Sequence, residues 1–393
     1  MNDIFLSKKI RLLPTKEQEI LFWKSAGTAR WAYNFFLGEN ERVFKEYLAN
    51  NRTGKKYVSG NEVRRYINNV LKKTTHTWLG EVSSSVMKQG VKDAERCLNQ
   101  YFKGNTEKPH FKSKRKNRPS FYVNYETLIS TNNGFRGERI GYIKTCEPLP
   151  KLQKGQKYLK PYITFDGRYW FLSVTYEKES YNVELTDEVI GIDLGIKNLA
   201  ILSNGKVYKN INKTQRIKKL EKRLKQQERK LSRKIKANTL SVDKKGRPKY
   251  TRSFDECKNF QKQKLQLKIL HSKICNIRIN YLHQTTTEIV KTKPSRIVME
   301  TLNVKGMLKN KHLSKAIGDQ CFYEFKRQME YKCQLYGIEF VQVPMFYPSS
   351  KTCSHCGNIK KDLKLSDRIY HCDCCGITID RDYNASLNLA RYK

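Results

Sequence analysis

The stretch of sequence that decides the fold reads Cys353-Ser-His-Cys356 and then, after fifteen residues, Cys372-Asp-Cys-Cys375. Two C-x-x-C pairs at this separation are typical of a structural zinc ribbon, in which four thiolates close a tetrahedron around Zn²⁺. Gly357 and Gly376 each follow a pair and suit a chain that must turn sharply under a metal. The spacing therefore predicts a closed zinc site within residues 349–376.

This stretch also contains a spare cysteine and a histidine. Cys374 and His355 are left out of the predicted ligand set, because Cys372 and Cys375 keep the two-residue spacing. The predicted zinc ligands are Cys353, Cys356, Cys372 and Cys375. The alternative is four buried or free thiols, which explains the number of cysteines but not their spacing.

Acidic residues follow the last cysteine. Asp380 and Asp382 lie in the run Asp380-Arg-Asp-Tyr-Asn384, and an amphipathic segment to Ala390 then predicts a helix. A rigid zinc-bound segment thus leads directly into carboxylates at a helix start. Such carboxylates are suited to bind a metal ion if further ligands come from elsewhere in the chain.

Two apolar strands supply those further ligands. Asp193 lies inside the strand that begins at Val189, and Glu300 ends the strand that begins at Ser295. A buried strand Asp is costly unless it is paired or binds a metal, although a solvent-facing Asp is the alternative. We expect Asp193, Glu300 and Asp382 to converge at one sheet edge. Three carboxylates there repel one another unless Mg²⁺ or Mn²⁺ ions lie between them, and two such ions can support phosphodiester hydrolysis.

The charge of the chain points to a polyanionic partner. The sequence contains 78 Lys and Arg against 37 Asp and Glu, a formal net charge of +41. Nucleic acid is the expected polyanion, and attraction to a membrane surface is the alternative. No apolar run approaches a membrane-spanning length, and Met1–Phe5 does not resemble a signal peptide. The scattered cysteines favour a reducing compartment, so we expect an intracellular protein without a membrane partner.

Upstream of the acids, the pattern predicts a strand over 4–13, helices to about Phe102 and strands over 120–177. Thr15 and Gln18 occupy capping-box positions, and Asp166-Gly167 predicts a hairpin turn. Trp31, Phe35 and Phe36 could stack on bases, but their spacing favours a helical core. Long helices are predicted over 206–236 and 255–292, with a polar break at 238–248 and a loop over 303–320.

Two regions carry dense positive charge. One is a loop that follows Pro109, and the other is the outer face of the predicted antiparallel helical hairpin. Solvated surfaces are the alternative, but the near absence of negative charge favours phosphate contact. The predicted nucleic-acid-binding residues are Lys112, Lys114, Arg115, Lys116, Arg118, Lys218, Lys222, Arg229 and Arg233.

The full set of motifs resembles the RuvC-like nuclease motifs and zinc ribbon of the TnpB family, a transposon-encoded family related to type V CRISPR effectors. The matching motifs are Gly191-Ile-Asp193-Leu-Gly195, Ile297-Val-Met-Glu300-Thr-Leu-Asn303, the four cysteines and Asp380-Arg-Asp382-Tyr-Asn384-Ala385. Arg30-Trp-Ala-Tyr-Asn34 and Pro109-His-Phe111-Lys-Ser-Lys resemble the family's N-terminal half. The resemblance therefore covers essentially the whole chain.

This resemblance implies an α/β fold with additional α and β modules. An RNase H-like (RuvC) domain with an inserted zinc ribbon would be preceded by an N-terminal β-barrel wedge with a helical recognition insert. The expected nucleic-acid-binding half is 1–182, with the wedge at 1–13 and 118–182 and the insert at 14–117. The RuvC-like domain is expected at 183–348 and 377–393, with a helical hairpin at 206–292, and the ribbon at 349–376.

The resemblance also implies a function, namely RNA-guided DNA cleavage that supports transposon maintenance. Its partners would be a guide RNA from the transposon end and double-stranded target DNA. The implied location is the prokaryotic cytoplasm, in association with the nucleoid. Its cofactors would be Zn²⁺ at the cysteines and Mg²⁺ or Mn²⁺ at the catalytic acids Asp193, Glu300 and Asp382, with Asp380 in a supporting role. Two alternatives remain: a transposase or recombinase proper, and a catalytically silent RNA-guided repressor.

Overall fold

The computed structural model describes residues 4–244, 246–364 and 367–392. The chain divides into two compact units, Phe5–Lys178 and Glu179–Lys393, with Ile4 grouped with the second. We call these the first and second units. Within the described residues, no helix combines the length and apolar character that a bilayer-spanning segment requires.

The first unit combines three helices with a seven-stranded sheet of order β2-β6-β7-β1-β5-β4-β3. Its elements are β1 Ile4–Leu13, α1 Lys16–Ala49, α2 Gly60–Asn69, α3 Ser84–Phe102, β2 Ser120–Tyr122, β3 Ile129–Thr131, β4 Gly134–Gly137, β5 Gly141–Thr145, β6 Leu159–Phe165 and β7 Trp170–Lys178. Closure of this sheet into a barrel stays a prediction.

Several local predictions for this unit are confirmed. Thr15 and Gln18 form the capping box at the start of α1. The carboxylate of Asp166 accepts hydrogen bonds from the backbone of the β6–β7 turn. Phe36 is fully buried in the helical core, and Trp31 and Phe35 are partly buried against it, as the core interpretation predicts.

The second unit is built on a five-stranded sheet. Its elements are β8 Thr186–Leu194, β9 Asn198–Leu202, β10 Val207–Lys209, α4 Gln215–Ala237, β11 Thr239–Val242, β12 Pro248–Tyr250, α5 Lys258–Lys291, β13 Pro294–Met299, α6 Val304–Met307, α7 Ser314–Gln320, α8 Phe322–Tyr336, β14 Glu339–Gln342, β15 Ile369–His371, β16 Thr378–Asp380 and α9 Arg381–Ala390.

The five-stranded sheet has the order β10-β9-β8-β13-β14. The first three strands form an antiparallel meander, and β13 and β14 run parallel to β8. Helices α5 and α8 bury apolar residues such as Ile289 and Phe325 against one face of the sheet. Leu389 of α9 packs with Val298 on the opposite face. The sheet therefore lies between two helical layers.

Three predictions for this unit are wrong in detail. Helix α4 begins at Gln215 after an N-cap at Thr214, because 207–209 pairs with β9 as a strand. The expected polar break holds the hairpin β11–β12, whose strands pair in antiparallel fashion. The expected loop over 303–320 contains α6 and α7. In each case strand pairing or a short helix satisfies backbone groups that a loop would expose.

Candidate functional site

The register of two parallel strands places Asp193 and Glu300 side by side. Met299, the last residue of β13, pairs with Ile192 of β8, so Glu300 directly after β13 lies next to Asp193 of β8. Ile192 and Met299 belong to the apolar core on one face. Side chains alternate along a strand, and therefore Asp193 and Glu300 face the other side, toward the layer that contains α9.

Helix α9 can lie close to the sheet because residue 191 is glycine. A Cβ atom at Gly191 would lie 2.0 Å from the carbonyl oxygen of Ser386 and 2.4 Å from the backbone nitrogen of Ala390. Both contacts involve backbone, which cannot yield as a flexible side chain can. Gly191 therefore sets the depth at which α9 packs on β8, two residues before Asp193.

The start of α9 carries the two acids that follow the cysteines. The Asp380 carboxylate accepts hydrogen bonds from the backbone N–H groups of Asp382 and Tyr383, both at 3.0 Å, and so caps the helix. Asp382, in the first turn, is only partly exposed. The Asp382 carboxylate forms an ion pair with Arg368 at 3.9 Å. Asp380 thus fixes the helix start that presents Asp382.

The three acids interact electrostatically. Burial raises the pKa of Asp193 well above its ordinary value, and the carboxylates of Glu300 and Asp382 raise it further. Burial also raises the pKa of Glu300 to about 7, against a hydrogen bond from the backbone of Leu194 and with a further contribution from Asp382. The carboxylate oxygens of the three acids do not all lie within 4.8 Å of one another. The site therefore concentrates negative charge that a cation would neutralise.

The four predicted zinc ligands form the tightest cluster of metal-binding side chains in the described residues. The sulfurs of Cys353, Cys356, Cys372 and Cys375 all lie within 4.8 Å of one another. Two of the sulfur–sulfur distances are 3.5 and 3.6 Å. These distances are close to the edge of a tetrahedron with metal–sulfur bonds of about 2.3 Å, which is roughly 3.8 Å. Cys374 and His355 are outside the cluster.

The two cysteine knuckles have the same backbone geometry. Gly357 donates a backbone hydrogen bond to Cys353, and Gly376 donates one to Cys372, both at 2.9 Å. Both glycines have positive φ, 78° and 73°, as the sequence predicts for turns of this kind. A hydrogen bond from the backbone of Cys375 lowers the pKa of the Cys372 thiol to about 6, whereas, against a hydrogen bond from the backbone of Ile377, burial and the neighbouring sulfurs raise the pKa of the Cys375 thiol to about 12. Metal binding requires the thiolate form of both residues.

Buried asparagines connect the first knuckle to α9, a link that the sequence analysis missed. Asn384 accepts a hydrogen bond from the backbone of Ser354 at 2.9 Å and donates one to Thr352 at 2.7 Å. One turn later, Asn388 donates to Ser349 at 2.8 Å and to Thr352 at 2.6 Å. Because Asn384 is two residues after Asp382, these bonds fix the acid relative to the cysteine cluster. Two amides at i, i+4 on the apolar face of a helix were the available signal.

The predicted phosphate-binding residues differ in their surroundings. The Lys112 ammonium lies 3.7 Å from the centroid of the Tyr33 ring, and burial lowers its pKa. The side chain of Asn34 pairs with both backbone groups of Lys112 at 2.7 and 2.8 Å. The other eight are exposed: Lys114, Arg115, Lys116, Arg118, Lys218, Lys222, Arg229 and Arg233. Lys112 therefore anchors its loop, while the others face solvent.

Three family models match the chain. One described as "Probable transposase" covers residues 172–311, one described as "Cas12f1-like, TNB domain" covers 322–389, and one described as "Helix-turn-helix domain" covers 1–48. The described part of the last region forms strand β1 and the single long helix α1 rather than two helices joined by a turn.

Relatives match over nearly the full length. A Streptomyces pristinaespiralis protein named "Putative RNA-guided DNA endonuclease" is 30% identical over 99% of this chain and 89% of its own. A "TnpB-like protein" of Acanthamoeba polyphaga mimivirus is 25% identical over 98% of this chain and 72% of its own. Among solved structures, a chain from a Cas12f1–sgRNA–target DNA complex covers 99% of both chains at 13% identity, with a TM-score of 0.57. The fold is therefore the mixed α/β fold of that chain.

Proposed function

Because this chain belongs to the TnpB family, we propose that it is an RNA-guided DNA endonuclease in which Asp193, Glu300 and Asp382 carry the chemistry. The observation that supports this most strongly is the position of the three acids. They come from a strand, the end of a neighbouring parallel strand and the start of a helix packed on the same face. A transposon-encoded protein of this kind would support maintenance of its transposon.

The topology of the second unit supports an RNase H-like assignment of the nuclease domain. Its sheet has an antiparallel meander, β8–β9–β10, followed by two strands parallel to the first. Acids at the centre of such a sheet and at the start of a helix on one face share one active site. We assign this domain to 183–348 and 377–393, the ribbon to 349–376, and the wedge and recognition modules to 1–182.

The acid site fits hard divalent cations such as Mg²⁺ or Mn²⁺. Carboxylate oxygens are the ligands these ions prefer, and burial, with a smaller contribution from the neighbouring carboxylates, raises the pKa values of Asp193 and Glu300. When bound, two such ions activate a water and stabilise the leaving oxygen of a phosphodiester. In this arrangement Asp193 and Glu300 hold fixed positions on the sheet, and Asp380 orients the helix turn that presents Asp382.

The cysteine cluster fits Zn²⁺ with a structural role. Four sulfurs leave no open position for a substrate, and the hydrogen bonds of Asn384 tie the first knuckle to α9. Metal analysis of the purified protein should find about one zinc per chain. Protein that is folded and active without zinc would contradict this assignment.

Nucleic acid is the proposed partner of the exposed basic face of α4. Lys218, Lys222, Arg229 and Arg233 all face solvent on this helix, and phosphate contacts by such residues would hold a guide RNA and the target DNA. A protein with this substrate would act at the nucleoid.

The test is cleavage of double-stranded DNA by protein loaded with its copurified RNA, with Mg²⁺ present. Asp193→Ala, Glu300→Ala and Asp382→Ala should each abolish cutting while RNA binding survives. Retained cleavage in all three variants would refute the site. Cleavage or strand joining without RNA would favour a transposase, and DNA binding without cleavage by the wild type would favour a repressor.

A further inference from the structure

A tight turn beside the acid site holds an aromatic residue in a backbone conformation that favours glycine. The turn spans Pro344–Tyr347 and is closed by a hydrogen bond from the Tyr347 backbone to Pro344 at 3.1 Å. Phe346, its third residue, has φ of 75°. Turns with positive φ at this position are usually occupied by glycine or asparagine, because a β-carbon is strained there. Phe346 therefore destabilises the turn that contains it.

Burial of the ring does not offset this strain. Phe346 is 89% exposed, more than any other large apolar residue in the described part of the chain. The turn is also firmly attached. The backbone of Val343 donates to Met299 at 2.9 Å, the Thr301 hydroxyl donates to Val343 at 2.6 Å, and the Tyr347 ring packs edge-on against Tyr392. A fixed, strained and exposed aromatic residue is typical of a binding position.

A cavity of about 290 Å³ lies beside this turn and is bounded by one of the three acids. Glu300 and Met345, the residue before Phe346, both line it. So do Tyr323, which is 71% exposed, and Lys326, one helical turn further along α8. The cavity thus combines a proposed catalytic carboxylate, a lysine and an exposed tyrosine. Phe346 follows Met345, one of the lining residues, in the chain.

We propose that Phe346 and Tyr323 form a stacking site for an unpaired nucleobase of the DNA strand that is cut, an inference that rests on the proposed function. Aromatic faces stack on any base, which suits an enzyme whose target sequence is read by its guide. Lys326 supplies a cation for the adjacent phosphate. A base inside a duplex already stacks on its neighbours, so the site selects a strand that has been separated.

Substitutions at residue 346 separate stacking from strain. Phe346→Trp keeps an aromatic face, Phe346→Leu keeps an apolar side chain and the strain, and Phe346→Gly removes both ring and strain. Leu240→Gly, at an exposed apolar position on β11, is the matched control. All variants are made in the full chain with its copurified RNA, and melting temperature is measured beside cleavage of single-stranded DNA and of target duplex.

Phe346→Gly should melt at or above the wild-type temperature yet lose about tenfold in kcat/KM on single-stranded DNA, equal to about 1.4 kcal/mol. Phe346→Leu and Tyr323→Leu should lose a similar factor, whereas Phe346→Trp and Leu240→Gly stay within about twofold. A 2-aminopurine base in the cut strand, bound with Ca²⁺ to prevent cleavage, should be quenched by wild type and not by Phe346→Leu.

Three results would overturn the proposal. Wild-type cleavage by Phe346→Leu and Phe346→Gly would exclude stacking, and a much lower melting temperature for Phe346→Gly would show a structural role. A changed oligomeric state with unchanged cleavage would identify a protein interface. If wild-type protein cuts no DNA, the proposed function fails instead. Quenching by the wild type that Phe346→Leu loses would still support the stacking site in that case.

Discussion

At the scale of single residues, the acid site depends on a position that carries no functional group. Gly191 allows α9 to approach β8, because any Cβ there would overlap the backbone of Ser386 and Ala390. The positions of Asp193 and Asp382 relative to each other therefore depend on the absence of a side chain.

We predict that Gly191→Ala displaces α9 and reduces DNA cleavage at least tenfold, while zinc content stays unchanged. Gly318→Ala in α7 is the control, since a β-carbon at this position would contact nothing within 4 Å beyond its chain neighbours and the backbone of its own helix, and alanine favours a helix by about 0.5–1 kcal/mol. Cleavage and zinc analysis measure both effects. A Gly191→Ala protein as active as the control would show that the helix tolerates the shift.

A second residue-scale prediction concerns a buried lysine away from the acids. Lys332 donates hydrogen bonds to the hydroxyls of Thr286 and Thr287 at 2.6 and 2.7 Å and to the carbonyl of His283 at 2.9 Å. Burial lowers its pKa from 10.5 to about 8. Between these two pH values the unfolded chain holds a proton that the folded chain has lost.

The free energy of unfolding should therefore rise with pH across that window, relative to Lys332→Met, by up to about 3 kcal/mol. Denaturant unfolding of the wild type and of Lys332→Met at pH 7.5, 9 and 10.5 measures the difference in their unfolding free energies. The other lysines titrate in both proteins, so their contribution drops out of this difference. A difference that stays flat with pH would mean that the three hydrogen bonds keep Lys332 charged.

At the scale of elements, the link between the first knuckle and α9 consists of amide hydrogen bonds. Asn384 has no exposed surface and Asn388 is 5% exposed, and two of their backbone partners, Ser354 and Ser349, are buried while Thr352 is partly buried. Leaving a buried hydrogen-bonding group unpaired costs about 1–3 kcal/mol.

Asn384→Ala should lower the free energy of unfolding by about that amount and reduce cleavage more than Asn310→Ala, an exposed amide that serves as control. Chemical denaturation and cleavage rates test this. Unchanged cleavage in a destabilised Asn384→Ala protein would show that the ribbon does not position Asp382.

Some features of these elements follow from the residue pattern and others do not. The burial of Asp193 beside other acids was predictable because an acid in an apolar strand is costly, and the clustering of the four cysteines because thiolate spacing reflects metal geometry. Asn384 and Asn388 were missed, although two amides at i, i+4 on the apolar face of α9 were a signal, because the sequence does not show which backbone groups they would pair with. The start of α4 was misplaced because pairing with β9 overrides the helical character of 207–209. The positive φ of Phe346 could not be predicted from the sequence, because the backbone angles of a turn residue are set by the fold.

At the scale of the whole molecule, positive charge dominates. Eight of the nine predicted phosphate-binding residues face solvent, whereas the Lys112 ammonium lies over a ring. Affinity for RNA should therefore fall steeply with salt, since each phosphate contact releases counterions.

Replacing Lys218, Lys222, Arg229 and Arg233 together by Gln should reduce the slope of log K against log salt by up to about 3, at about 0.7 per lost contact. Lys112→Gln is the control and should leave the slope unchanged. Filter binding of copurified RNA between 50 and 500 mM salt measures both. Equal slopes in the wild type and the fourfold variant would show that these four residues do not contact the phosphates of the RNA.

The proposed chemistry depends on a cation site formed by Asp193, Glu300 and Asp382, and anomalous diffraction from crystals soaked in Mn²⁺ tests this site most directly. We expect two manganese peaks among these carboxylates, about 3.5–4 Å apart, and their loss in Asp193→Ala. Manganese bound only elsewhere, in protein that still cuts DNA, would contradict it.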